Sequence, residues 1–151
     1  MSSILSSINS LSEDDQDLLF KAPAVVTIFI AGADKDIDKK EEMRARKLVN
    51  YRTFTSEIFL HEFYEAANQV FDGNMADLMA AWSPETGQEA MSNALTDIGT
   101  VVAKLPSDHA EALKSSLRSL AKKVAEADGG FLHMGGVSAE ERALLDLKEL
   151  G

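Results

Sequence analysis

The chain has 151 residues, a formal net charge of −10, 45% apolar and 26% charged residues, the make-up of an acidic globular protein of one domain, 1–151, with enough apolar mass to bury a core. Its densest basic stretches, 39–47 and 114–123, are interleaved with acidic or apolar residues, which argues against nucleic acid as a partner because phosphate neutralisation needs clustered cations. There is no cysteine, so disulfides and thiolate metal sites are excluded.

Residues 1–11 carry no basic residue and no continuous apolar run, unlike a secretory signal. The longest apolar run, 22–33, is short for a bilayer and is interrupted by Pro23 and Thr27. The expectation is a cytoplasmic protein without direct membrane insertion. Ser12 stands before Glu13, Asp14 and Asp15, a capping residue followed by carboxylates at the positive end of a helix dipole, and predicts a helix over 13–33. Its second half is apolar on every side, which marks a buried central helix. A parallel strand over 24–30 is the rival, but a parallel sheet needs several such segments and this chain offers none besides the weak 100–102.

A charged helix is expected over 38–52. The next covers 56–71, with Ile58, Phe59, Phe63, Ala66, Ala67 and Val70 at helical spacing, and Asp72-Gly73-Asn74 reads as its stop. A short helix follows at 75–82. Ser83 and Pro84 open a helix over 83–104 that Pro106 stops, Ser107 and Asp108 open one over 108–127, and a last helix covers 139–150. The prediction is a compact all-α bundle of about seven helices with two pseudo-repeated helix-loop-helix units.

The repeat lies in two acidic joints. The first is Ala33-Asp34-Lys35-Asp36-Ile37-Asp38-Lys39-Lys40-Glu41; the second is Ala127-Asp128-Gly129 followed by Val137-Ser138-Ala139-Glu140-Glu141. Each sets an Asp at the end of an apolar segment, then an aliphatic residue, a capping Asp38 or Ser138, and Glu41 or Glu141 three positions on, the spacing of a capping box. If the joints meet in space, Asp34, Asp38, Glu41, Asp128 and Glu141 gather hard oxygen ligands suited to calcium, magnesium or manganese. Capping alone is the rival explanation. An EF-hand is excluded: counting from Asp34, the sixth position is Lys39 rather than Gly, and the twelfth is Ala45 rather than Glu.

Catalytic signatures are incomplete. His61-Glu62-Phe63-Tyr64-Glu65 lacks the second His of a zinc protease, and Ser119 with Lys122 lacks the companion elements of a serine-lysine enzyme. Gly130 and Gly135 have P-loop spacing, but Gly136 and Val137 stand where Lys and Ser or Thr belong. With no convergent acid, base and nucleophile, a non-enzymatic protein is expected. The insertion 131–136 carries Phe131, Leu132 and Met134, more apolar than an idle loop needs, and is a candidate partner contact.

At the two joints the chain resembles the tellurite-resistance protein B (TerB-like) family, whose repeats carry Ala/Ser-Asp-Gly, an aliphatic residue and Ser/Asp-x-x-Glu. The resemblance covers most of the chain, with 83–104 in the place of the intervening helix. It implies an all-α fold of about seven helices, a relation to the N-terminal domain of a membrane-tethered DnaJ-like co-chaperone, and a role in tellurite and other chemical stress. It carries Asp34, Asp38, Glu41, Asp128 and Glu141 over as a cation or partner site. Two departures bear on that transfer: Lys35 replaces the usual glycine, and the insertion separates Asp128 from Glu141. The functional expectation is a stress-response domain offering an acidic site to a divalent cation or to a protein partner, in a membrane-associated stress complex or as a homodimer. Its alternative is a structural scaffold whose acids only cap helices.

Overall fold

The computed structural model describes residues 4–32, 47, 60–83, 85–125 and 146–151. Among these residues every regular element is helical: α1 (Ile4–Asn9), α2 (Glu13–Ala31), α3 (His61–Ala81), α4 (Gly87–Val102), α5 (Ser107–Ala125) and a 3-10 turn (Lys148–Leu150). The all-α class is as expected. The expected helix over 38–52 and the internal repeat fall largely outside the described residues.

α2 is the centre of the bundle and packs against α3, α4 and α5. Ser12 starts it as expected: its extended backbone lets Oγ accept from Asp15 N at 3.1 Å, with Glu13, Asp14 and Asp15 in the first turn. Every residue over 22–31 is buried, and each large aliphatic side chain removed from water contributes about 1.5–3 kcal/mol. That all-round burial is why the segment shows no apolar stripe. Pro23 sits inside the helix and has no N–H to give the Leu19 carbonyl; one turn on, the buried Thr27 Oγ1 donates to Pro23 O at 2.8 Å. Gly32 closes the helix, its N–H reaching Ile28 O and Ile30 O.

Three boundaries differ from expectation. First, Gly73 does not stop a helix, and the segments expected as 56–71 and 75–82 are one element, α3, from His61 onwards. A mid-helix glycine weakens a helix by about 1 kcal/mol, but Phe63, Ala67, Phe71 and Met75 recur every fourth residue on both sides of it and are all buried. Breaking the helix would lift that stripe off the core. Second, Ser83 works one turn ahead of α4: its Oγ accepts from Thr86 N at 3.2 Å and the helix begins at Gly87. Third, the end of the expected helix over 139–150 is not α-helical. Leu147 has φ 44°, in the left-handed region, and a 3-10 turn follows; left-handed backbone at a non-glycine residue costs about 1–2 kcal/mol and ends an α-helix.

α1 is an element that the sequence pattern did not predict. It is six residues long and buries only Ile4 and Ile8, too short for periodicity to declare itself.

The topology follows from contacts at both ends of α2. Lys104, just past α4, pairs with Asp15 in the first turn of α2 at 2.7 Å; Gln88, in the first turn of α4, donates from Nε2 to Phe29 O near the end of α2 at 3.0 Å. α4 is therefore antiparallel to α2. Residues 103–106 turn the chain back, and α5 begins beside α1, where Ser7 Oγ meets His109 Nδ1 at 2.8 Å. Packed on α2, α5 then runs in the same sense as α2.

Candidate functional site

All five predicted ligands, Asp34, Asp38, Glu41, Asp128 and Glu141, and the insertion 131–136 lie outside the described residues. The structure describes the platform that leads into them. α2 closes at Gly32, two residues before Asp34, and α5 closes at Ala125, three before Asp128. Both helices have 19 residues, start at one end of the bundle and run in the same sense, so both finish at the end where α4 starts.

That end has a definite electrostatic character. The last carbonyls of a helix lack intrahelical donors and the dipole leaves about half a negative charge there. Three such termini, of α2, α3 and α5, share this end with the positive start of α4. α2 has no basic residue in its last turn, whereas α5 has Lys122 and Lys123. The donor supplied to α2 is the Gln88 amide on Phe29 O. Beside it, Trp82 lies against Gly87, where an added Cβ would fall 2.1 Å from the indole nitrogen. Trp82 Nε1 and Gln88 Oε1 are buried and have no hydrogen-bond partner among the described residues. The neighbourhood is thus an apolar wall with a donor and an acceptor set in it.

No group of three or more His, Asp or Glu able to hold a metal occurs among the described residues. Glu62 and Glu65, with Ala66, Gln69 and Leu5, line a cleft of about 190 Å³ between α3 and α1. Their spacing follows from one helix face, and Leu5 enters because α1 docks there.

The weighed catalytic motifs fall on separate surfaces. His61 and Glu65 sit in the first turns of α3, while Ser119 and Lys122 are exposed on α5. Two side-chain contacts join elements: Ser7 to His109 links α1 to α5, and the buried Tyr64 hydroxyl meets Ser116 Oγ at 2.5 Å, linking α3 to α5. His109 and Ser116 were not singled out in the sequence. Each sits on the buried side of α5 with Leu113, Leu117 and Leu120, so the visible signal was a polar residue on an apolar stripe.

Comparisons with protein-family models, curated proteins and solved structures give no match to this chain.

Proposed function

We propose that this chain is a TerB-like, non-enzymatic helical domain of the cytoplasm, acting in chemical stress of the tellurite type, whose two joints offer an acidic site. Asp34 and Asp128 are the primary oxygen ligands or contact points, and Asp38, Glu41 and Glu141 support them. The ligand is calcium, magnesium or manganese, or a protein partner that approaches the same acidic end. The observation that supports this reading is the shared sense of α2 and α5, whose last described turns precede the two joints and bring two negative helix termini to one end of the bundle. No described helix is long and apolar enough to cross a membrane, so a membrane-associated complex would be joined through a protein contact.

The test is the melting temperature with added divalent cation. A ligand that binds only the folded state at one hundred times its Kd adds about 2.7 kcal/mol, about 5–11 °C for a chain of this size. Asp34→Asn with Asp128→Asn should abolish the shift. If millimolar calcium, magnesium and manganese leave the wild type unmoved and the double variant is no less stable, the cation reading fails and a protein contact is what remains for this end of the bundle.

A further inference from the structure

We propose that residues 146–151 form a displaceable intramolecular ligand, and that the surface of α4 and α5 beneath them is a docking groove for a short peptide carrying two leucines three residues apart. The segment is held as a bound peptide is held. Arg118 on α5 donates from Nε to Asp146 O and from Nη2 to Gly151 O, both at 2.8 Å. These two anchors grip backbone oxygens at either end of the segment and are indifferent to its side chains. Between them Leu147 and Leu150 are buried to 1% and 3% exposure, supplying two apolar anchors. Its backbone lies directly on α4: a Cβ added at Gly99 would fall 2.8 Å from Glu149 O and 2.9 Å from Leu150 O, so glycine is what admits the peptide. One contact selects a side chain, Ser92 Oγ donating to Glu149 Oε2 at 2.8 Å. Main-chain anchors give affinity and side-chain pockets give selectivity in peptide recognition generally. The pattern read here is Leu-x-acid-Leu.

The same segment is built to let go. A three-residue 3-10 turn has poorer hydrogen-bond geometry than an α-helix, and Leu147 holds it in left-handed backbone. The N–H groups of Leu150 and Gly151 bond to Leu147 O and Lys148 O within the segment, so lifting it off breaks the side-chain bonds from Arg118 and Ser92 but no backbone hydrogen bond of α4 or α5. Local opening at low free energy is expected where buried apolar contacts are this few. The occupant that fits in its place is a partner peptide with the Leu-x-acid-Leu pattern.

The experiment uses the full chain. Leu147→Asp with Leu150→Asp releases the resident segment, and a fluorescent, N-acetylated peptide of sequence Asp-Leu-Lys-Glu-Leu-Gly is titrated against it. Saturable binding is expected, weakened at least about tenfold in wild type, where the resident segment competes, and at least about tenfold on adding Arg118→Ala. Absence of saturable binding to a variant with unchanged helical circular dichroism, or equal binding with and without Arg118, overturns the proposal. Should that variant not fold, hydrogen exchange of the wild type decides: the amides of Leu150 and Gly151 should exchange at least about tenfold faster than those in the middle of α4. Equal protection would mean that the segment leaves only on global unfolding, and the proposal fails.

Discussion

Two glycines in helices call for opposite treatment, and the difference is purely one of surroundings. Gly73 lies inside α3 with nothing within 4 Å of an added Cβ, while at Gly87 that atom would fall 2.1–2.4 Å from the Trp82 indole. Gly73→Ala should therefore raise stability by about 0.5–1 kcal/mol, since it removes the entropy of a mid-helix glycine without a clash. Gly87→Ala should lower it by about 1–3 kcal/mol, as overpacking of a closed site does. Urea unfolding measures both, and because Trp82 is the chain's one tryptophan, the native emission of Gly87→Ala should shift to the red as the indole is pushed toward water. An unshifted spectrum would show that the indole adapts in place. The sequence pattern marks Gly73 as a helix stop and gives no sign of Gly87, because the atoms that crowd Gly87 belong to a side chain across a turn. Composition and spacing carry no record of such a contact.

Elements were legible where their signal was local. Ser12 with its three acids announced the start of α2, and Pro106 the end of α4, because capping and ring chemistry act within a turn. The continuous burial over 22–31 was legible too, since few arrangements other than a central position accommodate apolar residues on every side. α1 was not, because its stability comes from where it docks. Six residues cannot hold a helix alone in water; Ile4 and Ile8 are fully buried and Ser7 is bonded to His109 on α5. Ser7→Ala removes this partner from a buried imidazole nitrogen and should cost about 1–3 kcal/mol. The measurement is hydrogen exchange: amides of α1 should lose protection well before those of α2 in the variant. Loss in step with α2 would show that α1 is integral to the cooperative core and not a separately docked element.

At the scale of the molecule, the acids of the candidate site were visible in the sequence and their platform was not. Nothing in the spacing of Asp34 and Asp128 says that the helices before them run the same way; that follows from Lys104 on Asp15, Gln88 on Phe29 and Ser7 on His109, contacts between residues 59 to 102 positions apart. The platform also carries a charge that the proposed site has to overcome. Lys122 is exposed in the last turn of α5, where a cation stabilises the helix, typically by a few tenths of a kcal/mol to about 1 kcal/mol, and salt weakens the effect. The same charge repels a divalent ion bound just beyond that terminus: at about 10 Å in water, after screening at physiological salt, the repulsion is roughly 0.3 kcal/mol. Lys122→Gln should thus act in opposite directions on two measurements. Without metal the melting temperature should fall slightly, and the midpoint of a calcium, magnesium or manganese titration should drop to about half its wild-type concentration. Run at matched ionic strength with sodium chloride, the titration separates a bound ion from general screening of a chain carrying ten excess negative charges. A fall in stability with an unchanged midpoint would place any bound cation far from the end of α5.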